Sequence, residues 1–242
     1  GKSLADFSSV SGSEKIVISS ALDETIGAFT KEKPDIAVVL TASSIKKVAP
    51  IIEKCLESDL DVISICEELS YPFSSHKMIA CEIDSLAKER KKTVLGTGIN
   101  PGFLMDLLPL VLTAPIMNFR SARVTRVINS VRRRESFQKK IGTGMSIDEF
   151  SAAIEGGQIT GHVGLIESIE LLDNALQLDL DEIREFSPEA IIAEQSLQTP
   201  IGEVRGGDVK GLKSIGRGIK KDEVIIELVF KAYCGAEPEY DE

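Results

Sequence analysis

The sequence predicts an α/β chain in two units: a parallel sheet wound with helices, then an α+β unit whose sheet is mainly antiparallel. Three observations carry this reading. In the first half, short β-branched runs alternate with segments of helical spacing. In the second half, three strand-like stretches follow one another without helices between them. The 242 residues, 43% of them hydrophobic, suffice for one or two cores, and no repeat or low-complexity linker interrupts them.

The elements follow in order. Residues 15–18 form a short apolar run and residues 22–31 have helical spacing. Pro34-Asp35 then leads into residues 36–41, a β-branched run expected to be buried on both faces. Ser44 is placed to cap a helix over residues 45–58, with Val48, Ile51, Ile52 and Cys55 on one face. Residues 62–65 read as the next buried strand, 74–91 as a helix, 93–95 as a strand and 102–112 as an apolar helix. Strand and helix alternating through short turns give a parallel sheet with right-handed crossovers. The order matches the second part of a doubly wound, Rossmann-like nucleotide-binding domain.

After Pro115 the character changes. Residues 121–130 alternate as a long strand, and residues 145–154 and 163–176 are helical. Strand patterns at residues 190–198, 209–217 and 223–233 predict an antiparallel sheet. We therefore divide the chain into 1–115, an incomplete nucleotide-binding domain, and 116–242, an α+β substrate-binding and oligomerisation domain. The long alternating strands are too apolar for a solvated sheet, so this sheet is expected to cover the cleft and join subunits in a homodimer or higher oligomer.

Composition narrows the function classes. A net charge of −10 argues against a general nucleic-acid binder. The basic run Arg132-Arg133-Arg134, with Lys139-Lys140 after it, is local. The longest apolar run, residues 107–114, is interrupted by Pro109 and Thr113 and is too short to span a membrane. Four cysteines without CxxC spacing and two histidines do not suggest a structural metal, and a reducing, cytoplasmic setting is expected.

In open α/β sheets, ligands bind at the carboxyl ends of the strands. Three segments occupy such ends. Thr41-Ala42-Ser43-Ser44 offers small residues that let a ribose or phosphate approach, or else a plain helix cap. Cys66-Glu67-Glu68, with Cys66 expected beside the cofactor, places two carboxylates directly after a buried strand, where desolvation is costly without a partner. One of them can hold an ammonium group or act as general base, and the other can cap the following turn. Gly96-Thr97-Gly98-Ile99-Asn100-Pro101-Gly102 leaves the next strand, with Gly98, Asn100 and Pro101 placed to meet a nicotinamide. In the second unit, His162 precedes a helix and is a candidate substrate contact, and Arg126 with Arg132, Arg133 and Arg134 can anchor a substrate carboxylate. No G-x-G-x-x-G follows a strand. Together with a start at Gly1 that reads as mid-element, this leads us to expect that the first β-α-β unit precedes residue 1 and that both ends are cut from a longer protein.

Three motifs in this order resemble the 2,4-diaminopentanoate dehydrogenase family: Cys66-Glu67-Glu68-Leu69-Ser70-Tyr71-Pro72, the Gly96-to-Asp106 stretch, and Gly161-His162-Val163-Gly164-Leu165-Ile166-Glu167-Ser168. Phe137-Gln138-Lys139-Lys140-Ile141-Gly142 and Gly235-Ala236-Glu237-Pro238 agree. That family includes natural amine dehydrogenases and is related to dihydrodipicolinate reductase. The resemblance implies NAD or NADP as cofactor. It implies oxidative deamination of 2,4-diaminopentanoate to 2-amino-4-oxopentanoate in ornithine breakdown. It also puts a catalytic glutamate in the Cys66-Glu67-Glu68 segment, with Glu67 favoured. The His-His and Lys motif of dihydrodipicolinate reductase is absent. A related imine or carbonyl reductase, or a nucleotide-binding regulatory protein, is the alternative.

Overall fold

The computed structural model describes residues 2–6, 18, 19, 22, 25 and 34–235. The first expected strand and helix, and Ala236 to Pro238 of the last motif, lie outside the described residues apart from Ile18, Leu22 and Thr25.

Among the described residues the first unit is a three-stranded parallel sheet, β1 (Ile36–Val39), β2 (Asp61–Ser64) and β3 (Val94–Gly96), in that spatial order. Ala37 faces Val62, and Val62 faces Val94. Helix α1 (Ile45–Glu57) buries Ile45, Val48, Ala49, Ile52, Cys55 and Leu56, the stripe that its 3.6-residue period creates. Helix α2 (Lys77–Arg90) buries Ala80, Ile83 and Ala87 and ends on Lys91 in the left-handed conformation. The expectation that β1 is buried on both faces needs correction. Val39 is buried, whereas Ile36, Val38 and Leu40 are 50%, 61% and 59% exposed, and Ile65 and Leu95 are open on neighbouring strand ends. Successive side chains point to opposite faces, and among the described residues only one face of this sheet is covered.

The expected helix over residues 102–112 is shorter. Residues 101–106 are turns, and α3 spans Leu107–Leu112. Asp106 explains the difference. Its fully buried carboxylate accepts from Gly102 N (2.7 Å), Leu107 N (2.6 Å) and Ser168 Oγ (2.9 Å). It therefore satisfies the loop's donors, starts the helix and ties both to the second unit.

The second unit contains β4 (Ala122–Asn129), α4 (Glu135–Lys140), α5 (Ile147–Glu155) and α6 (Leu165–Leu176). Six strands follow: β5 (Glu182–Glu185), β6 (Glu189–Ile192), β7 (Leu197–Thr199), β8 (Gly202–Val204), β9 (Val209–Lys220) and β10 (Glu223–Tyr233). The main sheet runs β4-β10-β9-β5, with β6 also on β9, while β7 and β8 form a separate hairpin. Pairing is antiparallel except for β4, which joins β10 in parallel because helices and several strands intervene between the two in sequence. The stretch expected as one strand over 190–198 is divided between β6 and β7. Helix α6 lies close on β9 at Gly216, where a Cβ would come within 3.1 Å of Leu165 Cβ. Leu165, Ile169 and Leu172 fill this contact with Ile226 and Leu228, and Met105 joins the same core, so the first unit is packed onto the second before residue 115.

Candidate active site

Both carboxylates stand on a 3-10 turn, Glu67–Leu69, directly after β2, and the turn sends them different ways. Glu68 Oε2 accepts from Ile45 N at 2.7 Å and lies 3.4 Å from His76 Nε2. Ser44 occupies the N-cap position of α1 but makes no side-chain cap bond, so the Glu68 carboxylate caps that helix in place of the expected hydroxyl. Glu67 lines two cavities.

One cavity, about 680 Å³, is bordered by Ser43, Glu67, Arg126, Arg133, Lys140 and His162 among others. The other, about 480 Å³, is bordered by Ile65, Glu67, Thr97, Gly98, Asn100, Pro101 and Arg126. Glu67 and Arg126 are common to both, and Glu67 is the one carboxylate among the described lining residues of either. The loops leaving β2 and β3 thus border one cleft, roofed by the second unit. Gly164 explains how close that roof sits. With φ at +102°, its missing Cβ would meet Pro101 Cγ at 2.1 Å and Glu67 Cβ at 3.3 Å.

His162 is stacked on Phe230, with centroids 4.3 Å apart and planes at 18°. Its backbone N–H donates to Ser214 Oγ. Burial pushes its pKa down to about 3, with Arg126 and Lys140 adding to the effect, so the ring is neutral. A neutral Nε2 accepts from Asn100 Nδ2 at 2.7 Å, an assignment of tautomer and amide orientation made from the contact itself. Asn100 Oδ1 is then buried with no hydrogen-bond partner among the described residues. Burial lowers the pKa of Arg126 to about 10, with Arg133 adding, which leaves it cationic at neutral pH.

The profile of a family described as the 2,4-diaminopentanoate dehydrogenase C-terminal domain matches residues 103–239. The chain belongs to this family. The matched region includes Arg126 and His162, whereas Glu67 and the Gly98 loop precede it. A 2,4-diaminopentanoate dehydrogenase of Acetoanaerobium sticklandii is 33% identical over 229 residues, covering 94% of this chain. The chain spans 64% of that relative's length, less than two thirds of it. Among solved structures, an amine dehydrogenase from Mycobacterium smegmatis aligns over 98% of this chain and 69% of its own, with a TM-score of 0.79 at 20% identity. That likeness shows the fold, a Rossmann-type α/β unit followed by a mainly antiparallel sheet.

The other expected contacts of this family member fall as follows. Ser43 lines the larger cavity, while Thr41 is exposed and Ala42 half-buried, neither among the lining residues. Cys66 is buried and its Sγ donates to Ser43 O, with burial pushing the thiol up to about 11. Arg132, Arg133 and Arg134 all reach the larger cavity. Sequence reasoning missed Lys140 and Phe230 in that cavity, and His76 behind it. Lys140 stands in a motif that the resemblance quoted, so that motif is the signal that could have found it.

Proposed function

We propose that this protein is an NAD(P)-dependent dehydrogenase acting on CH–NH2 donors, and that it converts 2,4-diaminopentanoate to 2-amino-4-oxopentanoate, ammonium and reduced nicotinamide. The carrying observation is that a single carboxylate, Glu67, and a half-buried guanidinium, Arg126, border both cavities. A substrate with an amine at one end and a carboxylate at the other matches that pair. Residues 1–115 are read as the cofactor side and 116–242 as the substrate side.

The nicotinamide end of NAD or NADP fits the loop after β3. The buried, orphaned Asn100 Oδ1 offers an acceptor for an amide N–H, and Gly98 lines the cavity without a side chain to fill it. When bound there, NAD or NADP in its oxidised form would supply the acceptor for the hydride from the amine-bearing carbon. Glu67 takes the ammonium proton before this step and passes it to solvent, so that its carboxylate holds the iminium charge that follows. The carboxylate then takes a proton from the water that attacks the iminium carbon and returns it to the nitrogen, and as the C–N bond breaks the hydroxyl proton passes to the departing ammonia, leaving the ketone and ammonium. Arg126, with Arg133 and Lys140, holds the substrate carboxylate. Neutral His162 packs against the substrate chain and adds no charge beside the forming cation.

Four free cysteines support a reducing, cytoplasmic setting. Among the described residues no helix is long and apolar enough to cross a membrane. The exposed apolar residues Leu107, Val111, Leu112, Ile116 and Met117 support association with a second copy, which sedimentation would read directly.

The deciding experiment is Glu67→Gln in the intact protein, assayed by steady-state oxidation of 2,4-diaminopentanoate with each nicotinamide. Turnover is expected to fall roughly 10²-fold or more with cofactor affinity unchanged. Near-normal turnover would remove Glu67 from the chemistry.

A further inference from the structure

Behind the Glu67 turn lies a second set of ionisable groups that the proposed chemistry does not use. His76, just before α2, has Nε2 3.4 Å from Glu68 Oε2 and 3.8 Å from Glu167 Oε1. The neighbouring Ser75 donates through Oγ to Glu170 Oε1 at 2.8 Å. Glu167 and Glu170 are one turn apart on α6 and so present one face. Two consecutive residues of the first unit therefore grip two carboxylates on one helix of the second. On its other side His76 meets Glu68, whose Oε2 also caps α1. The turn between these contacts is closed by Ser70, which donates through both N and Oγ to Glu67 O.

We propose that His76, gripped by Glu68 from the parallel-sheet unit and Glu167 from the second unit, is a positioning residue that fixes the Glu67 turn against the head of α6. This rests on the reading of Glu67 as the base. The head of α6 is the point of closest approach, since Gly164 stands against Glu67 Cβ and Pro101. Sliding α6 along the turn would shift Glu67 relative to Asn100 and His162. A misplacement on the order of 1 Å in a catalytic group costs up to about 10²-fold in rate.

The charge state of Glu167 supports the same device. Burial, with the facing carboxylates Glu170 and Glu68 adding, pushes its pKa up to about 7. Glu185, at the end of β5, is likewise raised to about 7 by burial, with Glu167 adding. Among the described residues, His76 is the one basic side chain within 4 Å of the Glu167 carboxylate. An ionised Glu167 carboxylate faces His76 Nε2 as an acceptor, whereas a protonated Glu167 loosens the grip. The folded chain tolerates the charged carboxylate at a cost in stability, as expected of a group kept for geometry rather than for packing.

The test compares His76→Ala and Glu167→Gln with Glu67→Gln in the intact protein. It measures kcat and KM for 2,4-diaminopentanoate, cofactor affinity, and thermal unfolding at about pH 8. We expect kcat to fall roughly 10-fold in both latch variants, with KM and cofactor affinity within about twofold. Glu167→Gln should raise the unfolding temperature while lowering kcat, and should abolish a fall in kcat that the parent shows as pH drops through about 7. A merely structural Glu167 would lose stability and activity together, and that result would overturn the proposal. So would kcat within twofold of the parent in both variants while Glu67→Gln is inactive, which leaves the reading of Glu67 intact. An active Glu67→Gln would remove that reading and the latch with it.

Discussion

Asn100 Nδ2 stands 2.7 Å from His162 Nε2, and this contact joins the loop after β3 to the segment that leads into α6. It is made 62 positions apart in sequence, between a residue of the parallel-sheet unit and one of the second unit. A neutral imidazole can accept at Nε2 from the Asn100 amide, whereas a protonated one cannot. The pKa of about 3 is consistent with the neutral ring.

A pH dependence of stability follows from His162. Its folded pKa lies below the ordinary value of 6.5. Between the two values the unfolded chain binds more protons than the folded one. The stability linked to His162 is therefore fully present above about 6.5 and is lost as pH falls toward about 3. Denaturant unfolding of the parent and His162→Gln at about pH 8 and about pH 5 measures this. The parent should lose more stability than the variant between the two. Equal losses would show that the ring is protonated in the folded chain.

Asp106 predicts a large effect without any chemistry. Its carboxylate is fully buried and accepts three hydrogen bonds, from Gly102 N, Leu107 N and Ser168 Oγ. Replacing it with alanine leaves three donors, two of them part-buried and one buried, without their acceptor. The expected loss is roughly 2–4 kcal/mol, read as a drop in the midpoint of denaturant unfolding. Since the same carboxylate shapes the loop bearing Asn100, cofactor affinity should weaken as well. A change below about 0.5 kcal/mol would mean that water replaces the carboxylate.

Much of this arrangement was legible before any coordinates. Three segments at strand ends, Ser43, Glu67 and the Gly98 loop, follow from the rule that ligands meet the carboxyl ends of parallel strands. That Glu67 and Glu68 divide into a cleft residue and a cap follows from their adjacency, although which was which did not. The direction of Glu68 depends on Ile45 N lying across the turn, a contact 23 positions distant. His76 gave no local signal, because its meaning arises from Glu167, far along the chain on another unit. Lys140 lies on a short helix whose pattern reads as solvated. The open face of β1 was hidden for a different reason. A continuous apolar run looks the same whether its second face is covered by neighbours or exposed.

The basic wall of the larger cavity is placed to choose how the carboxylate of the proposed substrate is held. The larger cavity carries Arg126, Arg132, Arg133, Arg134 and Lys140 against one carboxylate, Glu67. 2,4-Diaminopentanoate brings two ammonium groups and one carboxylate, so this cationic wall helps only if the carboxylate is directed at it and the reacting amine at Glu67. Arg126 is the cation shared by both cavities, and burial has lowered its pKa to about 10 without discharging it. A charge-assisted hydrogen bond to a carboxylate contributes about 1.5–3 kcal/mol. Arg126→Met keeps much of the aliphatic bulk and removes the fork. It should lower kcat/KM for 2,4-diaminopentanoate roughly 10- to 100-fold, chiefly through KM, because the carboxylate is held equally before and during reaction. The comparison substrate is 1,3-diaminobutane, which has lost the carboxylate. For it the variant should be unchanged or improved, since a cation facing an ammonium group has been removed. An equal loss on both substrates would assign Arg126 to the shape of the cleft and leave the carboxylate to Arg133 and Lys140.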